Sequence, residues 1–457
     1  MQVGQRLALF NRRNILAAGV HQTRMRKYQS GIFYNRNPPS PFNESHRQPS
    51  HNNSTFAIIF LRIMTGSSSI QVKKSLERLW KVYVLLQAGK VGNLGRVPAG
   101  GLSVLLGYGP NIFNLNGVKK TIPENFKDKQ FLPPTKENAY ILEDSGIKYS
   151  TQDRKNLGLT EDIVIQIISD TQLATYRAIV ETSKVLGLEE NNKVLKFSRF
   201  YTGFQRDDAR SWLGFHDEIS NMTRGMERRK AIFIDPITND LRLKDYWTKD
   251  GTYLAFIRME VDVQKWDEID LAQQELIVGR QKRNGWPLVG VNKKGKPVAL
   301  DKFRKAKNMK PYHDRKIRDH PNYFRISELP SSTLKKLDID ASVRILAQSH
   351  IGRTRHIDGI ASEKPSSRRI YRQSFDFIEP LSNSHEKVIR LGLNFISFQN
   401  DPSRLFFILT DPNWMGKSNF GGELDKSGVN NLLSVLAAGI FFIPPLEKPF
   451  PGISIFC

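Results

Sequence analysis

Cysteine is nearly absent from this chain: of its 457 residues, only the last, Cys457, carries a thiol. One cysteine forms no intramolecular disulfide and cannot supply the several thiolates of a structural zinc site or an iron–sulfur cluster. The nine histidines show no HExxH motif. The sequence therefore excludes cysteine-based metal centres, and any metal is expected to come inside a cofactor that needs few protein ligands.

Long apolar runs are also missing, because none reaches the roughly 18–20 residues that a membrane helix needs. The longest run, residues 432–444, contains Ser434 and ends in prolines, so it predicts a buried helix or strand. The chain is 39% hydrophobic and 10% aromatic, which is typical of a folded protein, and its length suggests two or three domains. We therefore do not expect a membrane as a partner.

Acidic residues are missing from residues 1–43, which carry six arginines and one lysine. This composition is typical of an organelle transit peptide, although a disordered N-terminal tail explains it equally well. Residues 35–54 are rich in Asn, Pro, Ser and His, as linkers are. We predict a disordered basic extension over residues 1–54 and a cytoplasmic protein, with an organelle as the alternative.

The net charge of +24 and the pI near 9.9 raise the alternative of a nucleic-acid-binding protein. The basic residues are scattered, however, and the densest stretch, Lys293–Lys316, lacks zinc-finger, RNP and heptad signatures. Basicity alone does not specify a partner. We interpret this stretch as a solvated insertion and do not expect nucleic acid as a partner.

Hydrophobic periodicity predicts two rounds of strand, helix and strand, which indicates an α+β protein. Ser69 is the expected cap of the first helix. The predicted strands cover residues 56–61, 102–108, 162–168, 194–201, 253–261, 391–398, 404–409 and 440–443, and the predicted helices follow residue 69 and cover 170–186 and 269–281.

Three separated residues carry the chemistry. Asp217 lies in the segment Leu213–Glu218, His350 follows far downstream, and Arg372 comes twenty-two positions after His350. A carboxylate, an imidazole and a guanidinium are the set that a haem peroxidase needs, because the imidazole ligates iron and the other two act on peroxide on the opposite side.

The order and flanking residues of this set resemble the dye-decolourising (DyP-type) haem peroxidase family. Further segments extend the resemblance over roughly residues 55–457; they are residues 104–113, 162–167, 251–259, 273–288, 393–399 and 439–445. The resemblance implies two ferredoxin-like halves with antiparallel sheets, an N-terminal one over 55–240 and a C-terminal one over 241–457 that carries the haem site.

The resemblance also implies the role of each site residue. His350 is expected to be the proximal ligand of a non-covalent b-type haem, since no CxxCH motif is present. Asp217 is expected to be the distal acid–base, and Arg372 the distal cation that also contacts the cofactor. Ser374 and Phe395 complete the expected cofactor contacts.

This chain departs from the family pattern beside Asp217. The family has Gly-x-x-Asp-Gly, whereas here Glu218 stands in the place of the second glycine. The replacement removes easy access to positive φ and adds a second carboxylate next to the first. The downstream residues through Asn221 still fit the family, so Asp217 is expected to correspond to the aspartate of the family pattern.

Two points around His350 stay open at the sequence level. His356 is the competing ligand, although its neighbours are charged. The acceptor for the second N–H of His350 is expected in the C-terminal part of the chain, where Asn431 aligns best and Asp425 is the alternative.

The resemblance implies an enzyme that uses hydrogen peroxide to oxidise dyes or phenols through a ferryl intermediate. Bulky reductants would deliver electrons through an oxidisable surface residue, for which Tyr371 and Trp212 are candidates. A homo-oligomer is compatible with the sequence. The alternative is a haem-binding or haem-processing protein of the same fold with weak peroxidase activity.

Overall fold

The computed structural model describes most of the chain outside its N-terminus and a few long connections. The described residues are 28–33, 54–92, 95–127, 148–149, 161–187, 194–206, 208, 210–217, 221–222, 225–285, 288–292, 294, 296–299, 339–340, 349–350, 370–381, 388–405 and 432–456. None of the helices in these ranges is long and apolar enough to cross a membrane.

Twelve strands and six α-helices are described within these ranges. The strands are β1 Thr55–Ile63, β2 Ser103–Tyr108, β3 Lys148–Tyr149, β4 Ile163–Ser169, β5 Leu195–Phe204, β6 Thr252–Val261, β7 Leu288–Asn292, β8 Pro297–Ala299, β9 Ile339–Asp340, β10 Tyr371–Pro380, β11 Ile389–Gln399 and β12 Leu433–Ile443. The helices are α1 Ser69–Gln87, α2 Glu124–Lys127, α3 Gln172–Gly187, α4 Met226–Ile232, α5 Val263–Asp267 and α6 Leu271–Val278.

Each half of the chain forms a four-stranded antiparallel sheet with the same order of strands. In the first half, β1 lies between β4 and β5, and β2 pairs with β4. In the second half, β6 lies between β11 and β12, and β10 pairs with β11. If the four strands of each half are numbered along the chain, they lie across the sheet in the order 2-3-1-4. This is the order of a ferredoxin-like unit. The expected α+β fold with two ferredoxin-like halves is therefore confirmed, while the domain boundary at residue 240 stays a prediction.

The two sheets join at both edges, so that eight strands close into a ring. One junction pairs Asp376 of β10 with Phe204 of β5, and the other pairs Phe442 of β12 with Tyr108 of β2. Each junction is a single pair of residues. The halves are consequently connected mainly through the side chains that they enclose.

Aromatic rings from both halves meet inside the ring of strands. Phe60 of β1 lies 5.6 Å from Phe256 of β6 and 5.6 Å from Phe441 of β12, while Phe56 stacks on Phe375 of β10 at 4.5 Å, measured between ring centroids. All five side chains are fully buried. Because a fully buried side chain of this size contributes about 1.5–3 kcal/mol, this interior cluster stabilises the pairing of the halves.

Helices cover the outer surface of the strands and form a second apolar cluster there. Helix α1 begins with a capping box in which Gln71 N–H donates to Ser68 Oγ and Ser68 N–H donates to Gln71 Oε1. The prediction of Ser69 as the cap was wrong by one position, because Ser69 is already helical. Its side chain is buried instead of facing the helix end.

The first described segment, Tyr28–Phe33, lies within the extension that was predicted to be disordered. Ile32 is 1% exposed, and Gln29 is 3% exposed. Tyr28 stacks on Phe233 with ring centroids 3.6 Å apart. The prediction of disorder is therefore wrong for this segment, which we call the N-terminal plug. The rest of residues 1–53 lies outside the described residues.

Side-chain amides hold the N-terminal plug to both halves. Gln29 bonds the N–H and the C=O of Leu106 in β2, and it also donates to the carbonyl oxygen of Pro444 just after β12. Gln166 of β4 and Gln373 of β10 donate to carbonyl oxygens of the plug at 2.9–3.0 Å. These bonds satisfy polar groups that would otherwise be buried without partners, which explains why a polar segment lies in the interior.

Several strands depart from the sequence predictions. Strand β10 was not predicted, and β12 begins seven residues before the predicted 440–443. The predicted strand at 404–409 was wrong at its start, because residues 403–405 form a helical turn, and the remainder lies outside the described residues. Most of Lys293–Lys316 also lies outside them, although Lys294 and Lys296 are exposed.

Candidate active site

Strands β10 and β11 bring three of the predicted site residues onto one face. Ser374 pairs directly with Phe395, and Arg372 pairs with Ser397. Alternate residues of a strand point to opposite sides, so these four side chains share the face away from the interior cluster. Arg372 and Phe395 are half-buried, and Ser374 is buried. We call this surface the outer face.

The outer face continues into β6 with small and aliphatic side chains. Ala255 lies opposite Ser397, and Ile257 lies opposite Phe395. The Oγ of Ser397 is buried and has no hydrogen-bond partner among the residues that the structure describes. Buried hydroxyl groups are usually bonded, so the partner of this atom lies outside the described residues or in a bound group.

Asp217 follows a tight hairpin that runs from Arg210 to His216. These two residues form an isolated antiparallel bridge. The guanidinium of Arg210 donates to the carbonyl oxygens of Gly214 at 2.6 Å, Lys282 at 2.8 Å and Arg283 at 2.9 Å. Arg210 therefore fastens the hairpin to the turn after α6, and Asp217, which is half-buried, leaves the hairpin from this anchored end.

Helix α5 supports the other side of the hairpin. Trp266 is buried, donates from Nε1 to the Leu213 carbonyl oxygen at 3.0 Å, and packs edge-on against Phe215. The ammonium of Lys282 lies 5.8 Å from the Phe215 ring and 6.0 Å from the Trp266 ring, and it donates to Gln274 at 2.7 Å. Burial lowers the pKa of Lys282.

Asn221 connects the Asp217 segment to β10. Its Nδ2 donates to the carbonyl oxygen of Arg372 at 2.6 Å, and its Oδ1 accepts from the N–H of Arg372 at 3.1 Å. Asp217 and Arg372 are 155 positions apart in the sequence, yet a residue four positions after Asp217 binds Arg372 directly. The structure thus brings the two predicted distal segments together.

His350 is described together with Ser349 only, since residues 341–348 and 351–369 lie outside the described residues. Its side chain is half-buried, and its Nδ1 atom is buried. Glu218, His356, Asp425 and Asn431 also lie outside the described residues. The assignment of His350 as the iron ligand and the identity of its acceptor stay predictions.

The two proposed electron-relay residues differ in exposure. Tyr371 is 4% exposed and points into the interior, where Phe33 packs edge-on against it and the Arg228 guanidinium lies over its ring. Tyr371 is therefore wrong as a surface relay. Trp212 is half-buried, with the guanidinium of Arg206 4.8 Å from its ring centroid, and its role stays a prediction.

The second half of the chain matches a known protein family. A family model described as "Dyp-type peroxidase, C-terminal" matches residues 208–448, just over half of the chain. This chain belongs to the Dyp-type peroxidase family. Dyp-type peroxidases are haem enzymes, so the protein is an oxidoreductase whose cofactor is haem.

Solved structures agree on the fold of this Dyp-type peroxidase. Ferric DtpA from Streptomyces lividans matches it with a TM-score of 0.61 and 16% identity, over 94% of this chain and 98% of that one. A DyP-type peroxidase from Streptomyces coelicolor gives 0.61 and 16%, over 93% and 94%. A DypB variant from Rhodococcus jostii RHA1 in complex with haem gives 0.52 and 14%, over 88% and 96%.

Three residues of this peroxidase that shape the site were missed by the sequence analysis. Arg210 anchors the hairpin, Ser397 adds a polar atom to the outer face, and Lys282 packs against the hairpin. Arg210 and Ser397 act through backbone contacts and strand register, and Lys282 acts through side-chain packing; none of these leaves a motif in the sequence. Asn221 was recognised only as fitting the family, and its amide bonds to Arg372 could not be read from its position.

We expect Gly214→Ala to destabilise the peroxidase. Gly214 has φ of +81°, and an added Cβ would lie 2.5 Å from Cε of Lys282. The backbone conformation alone should cost about 1–3 kcal/mol, and displacing Lys282 would break its bond to Gln274. Urea unfolding measures the total loss.

Gly66→Ala is the matched control, since Gly66 has φ of +86° but nothing within 4 Å of an added Cβ. Gly214→Ala should lose more stability than this control, and only Gly214→Ala should slow the reaction with peroxide. Equal losses with equal activities would contradict the proposed support of the hairpin by Lys282.

Proposed function

We propose that this protein reduces hydrogen peroxide at a haem held against the outer face, and that organic reductants such as dyes or phenols supply the electrons. His350 is the proposed proximal ligand, Asp217 the proposed acid–base, and Arg372 the proposed charge stabiliser. The observation that carries the proposal is the pair of hydrogen bonds by which Asn221, four residues after Asp217, holds the backbone of Arg372. It supports a common site for two groups that the same reaction step requires.

The residues of the outer face fit a haem. A flat apolar macrocycle suits the half-buried ring of Phe395 and the aliphatic side chain of Ile257 beside it. The polar atoms of Ser374, Ser397 and Arg372 lie on the same face, where they suit propionate or peroxide oxygens. The free hydroxyl of Ser397, buried without a partner among the described residues, supports a ligand that brings its own polar groups.

When bound, haem supplies the iron that activates peroxide and stores the oxidising equivalents for the reductant. The carboxylate of Asp217 takes the proton from one peroxide oxygen and returns it to the departing oxygen, which needs a group within hydrogen-bond reach of both. The fixed guanidinium of Arg372 stabilises the negative charge that develops on the departing oxygen.

The imidazole of His350 would hold the iron through one nitrogen, and its other nitrogen would donate to a neighbouring acceptor that fixes the ring. Asn431 and Asp425 are the proposed acceptors. A neutral amide at this position would make the imidazole a weaker electron donor than a carboxylate would. We propose the cytoplasm as the location, with an organelle as the alternative that the acid-free, arginine-rich residues 1–43 leave open.

The absorption spectrum of the purified protein tests the proposal. We expect a Soret band, and we expect acidified organic solvent to extract the pigment because no covalent attachment motif is present. Addition of hydrogen peroxide should change the spectrum within seconds, and a phenolic reductant should restore it. A haem-loaded protein that does not respond to peroxide would favour a haem-binding or haem-processing role, and a colourless protein that reconstitution with haem does not change would reject both.

A further inference from the structure

The backbone of Arg372 has β11 on one side and the side chain of Asn221, not a paired strand residue, on the other. Arg372 faces Ser397 across the β10–β11 pair, but its own N–H and C=O both bond to Asn221, so they point away from β11. On that side, the described pairing of β10 with β5 consists of Asp376 and Phe204 alone. Without Asn221, the peptide groups of Arg372 would lose these partners, and half-buried peptide groups without partners are costly.

The side chain of Asn221 takes the place of a neighbouring strand at this point. A primary amide carries one acceptor and a donor in the same plane, as a peptide does, and it bonds both the N–H and the C=O of one residue. Its Oδ1 also accepts from the N–H of Met222 at 3.0 Å. Because Met222 is buried in the interior cluster, the orientation of the amide is fixed from its own end.

We propose that Asn221 is a positioning residue that sets the location of the Arg372 guanidinium relative to the Asp217 carboxylate. This inference rests on the proposed function, in which both groups act on the same peroxide. Four residues of extended chain span at most about 14 Å, so the two groups are tied through a short connection. Arg210 and Trp266 anchor the hairpin ahead of Asp217, and Asn221 anchors the chain behind it.

Asn221→Asp removes the donor and keeps the size of the side chain. At neutral pH the carboxylate would face the carbonyl oxygen of Arg372 and repel it. This repulsion would move β10 away from the segment that carries Asp217 and residue 221. Because a displacement of about 1 Å can cost about 10²-fold in rate, we expect the second-order rate of reaction with peroxide to fall about 10-fold to 100-fold. Haem content should stay that of the wild type, since His350 retains the cofactor.

Two readouts separate positioning from a general loss of structure. The first is a double-mutant cycle with Arg372→Leu: if Asn221 acts through Arg372, Asn221→Asp should add little to the slowing already caused by Arg372→Leu. The second is pH. Near pH 4, where a carboxyl group becomes protonated and regains a donor, Asn221→Asp should approach the wild type measured at the same pH, whereas Asn221→Ser should not.

Asn400→Asp is the matched control, because the Asn400 amide also donates to a backbone carbonyl, that of Lys230 at 2.8 Å, in a part-buried setting. It should lower stability and leave the peroxide rate unchanged. If Asn221→Asp folds poorly, Asn221→Ser enters the same cycle, since its hydroxyl is too short to bind both groups of Arg372.

The outcomes distinguish this inference from the proposed function. Slowing by Arg372→Leu together with wild-type rates in Asn221→Asp and Asn221→Ser would overturn the positioning role alone, and so would effects that multiply in the cycle. An Arg372→Leu variant as fast as the wild type would reject the proposed function and the positioning role together. Slowing by both single variants without further slowing in the double variant supports the inference.

Discussion

His350→Ala is expected to abolish haem binding, or to leave a protein with a small fraction of the wild-type haem. The iron–imidazole bond is the one ligand bond that we assign to the protein, and without it the cofactor is retained only by packing against the outer face. The Soret absorbance per protein, with haem quantified after extraction, measures the effect. Circular dichroism should show an unchanged fold, because the ring of strands and its interior cluster do not involve His350.

His356→Ala is the control for this variant, as it removes an imidazole six positions away. It should keep the wild-type spectrum. Added imidazole should restore part of the Soret band in His350→Ala by supplying the lost ligand. If His350→Ala kept its haem and His356→Ala lost it, His356 would be the iron ligand and the assignment of His350 would be wrong.

Asp217→Asn and Arg372→Leu should both stay loaded with haem but react far more slowly with peroxide. Removing a positioned acid–base typically costs about 10²–10⁴-fold, and removing an electrostatic donor about 10²–10³-fold. Both groups are assigned to the peroxide step, whereas retention of the cofactor is assigned to His350. Stopped-flow mixing with peroxide gives the rate from the change in absorbance, and unchanged rates in both variants would reject the distal assignment.

Glu218 provides the internal control for the Asp217 variant. Glu218→Gly restores the family pattern and should leave the wild-type protein at least as active. In the Asp217→Asn background, the same change should slow the reaction further if Glu218 serves as a back-up base. An unchanged rate in that background would show that Asp217 works without help from its neighbour.

Strands with both faces buried were the easiest to predict. Residues 163–168 and 56–61 are nearly continuous apolar runs because the interior cluster lies on one side and the helices on the other, and such runs mark strands directly. Strand β10 escaped prediction because polar residues occur on both of its faces. Gln373 faces the interior, where it binds the N-terminal plug, and that partner lies more than three hundred residues away in the sequence.

Site residues whose flanking sequence resembles a family motif could be predicted. Site residues that are placed by the register of strand pairing could not. Asp217, His350 and Arg372 were proposed from flanking residues, and the sheet independently brings Arg372, Ser374 and Phe395 to one face. Ser397 joins them only because β11 pairs with β10 in this register. The choice of Ser68 as the helix cap is of the same kind, since the three consecutive serines 67–69 are equivalent until the chain is packed.

The N-terminal plug has a consequence for how the chain can be matured or shortened. Cleavage upstream of Tyr28 leaves every described contact of the plug intact. Cleavage between the plug and β1 would turn Tyr28–Phe33 into a separate peptide, bound by amide bonds to strands of both halves. A shortened form of the protein therefore keeps the N-terminal plug only if it retains the residues from Tyr28 onward. A form that starts at β1 would lack these contacts unless the plug were added as a separate peptide.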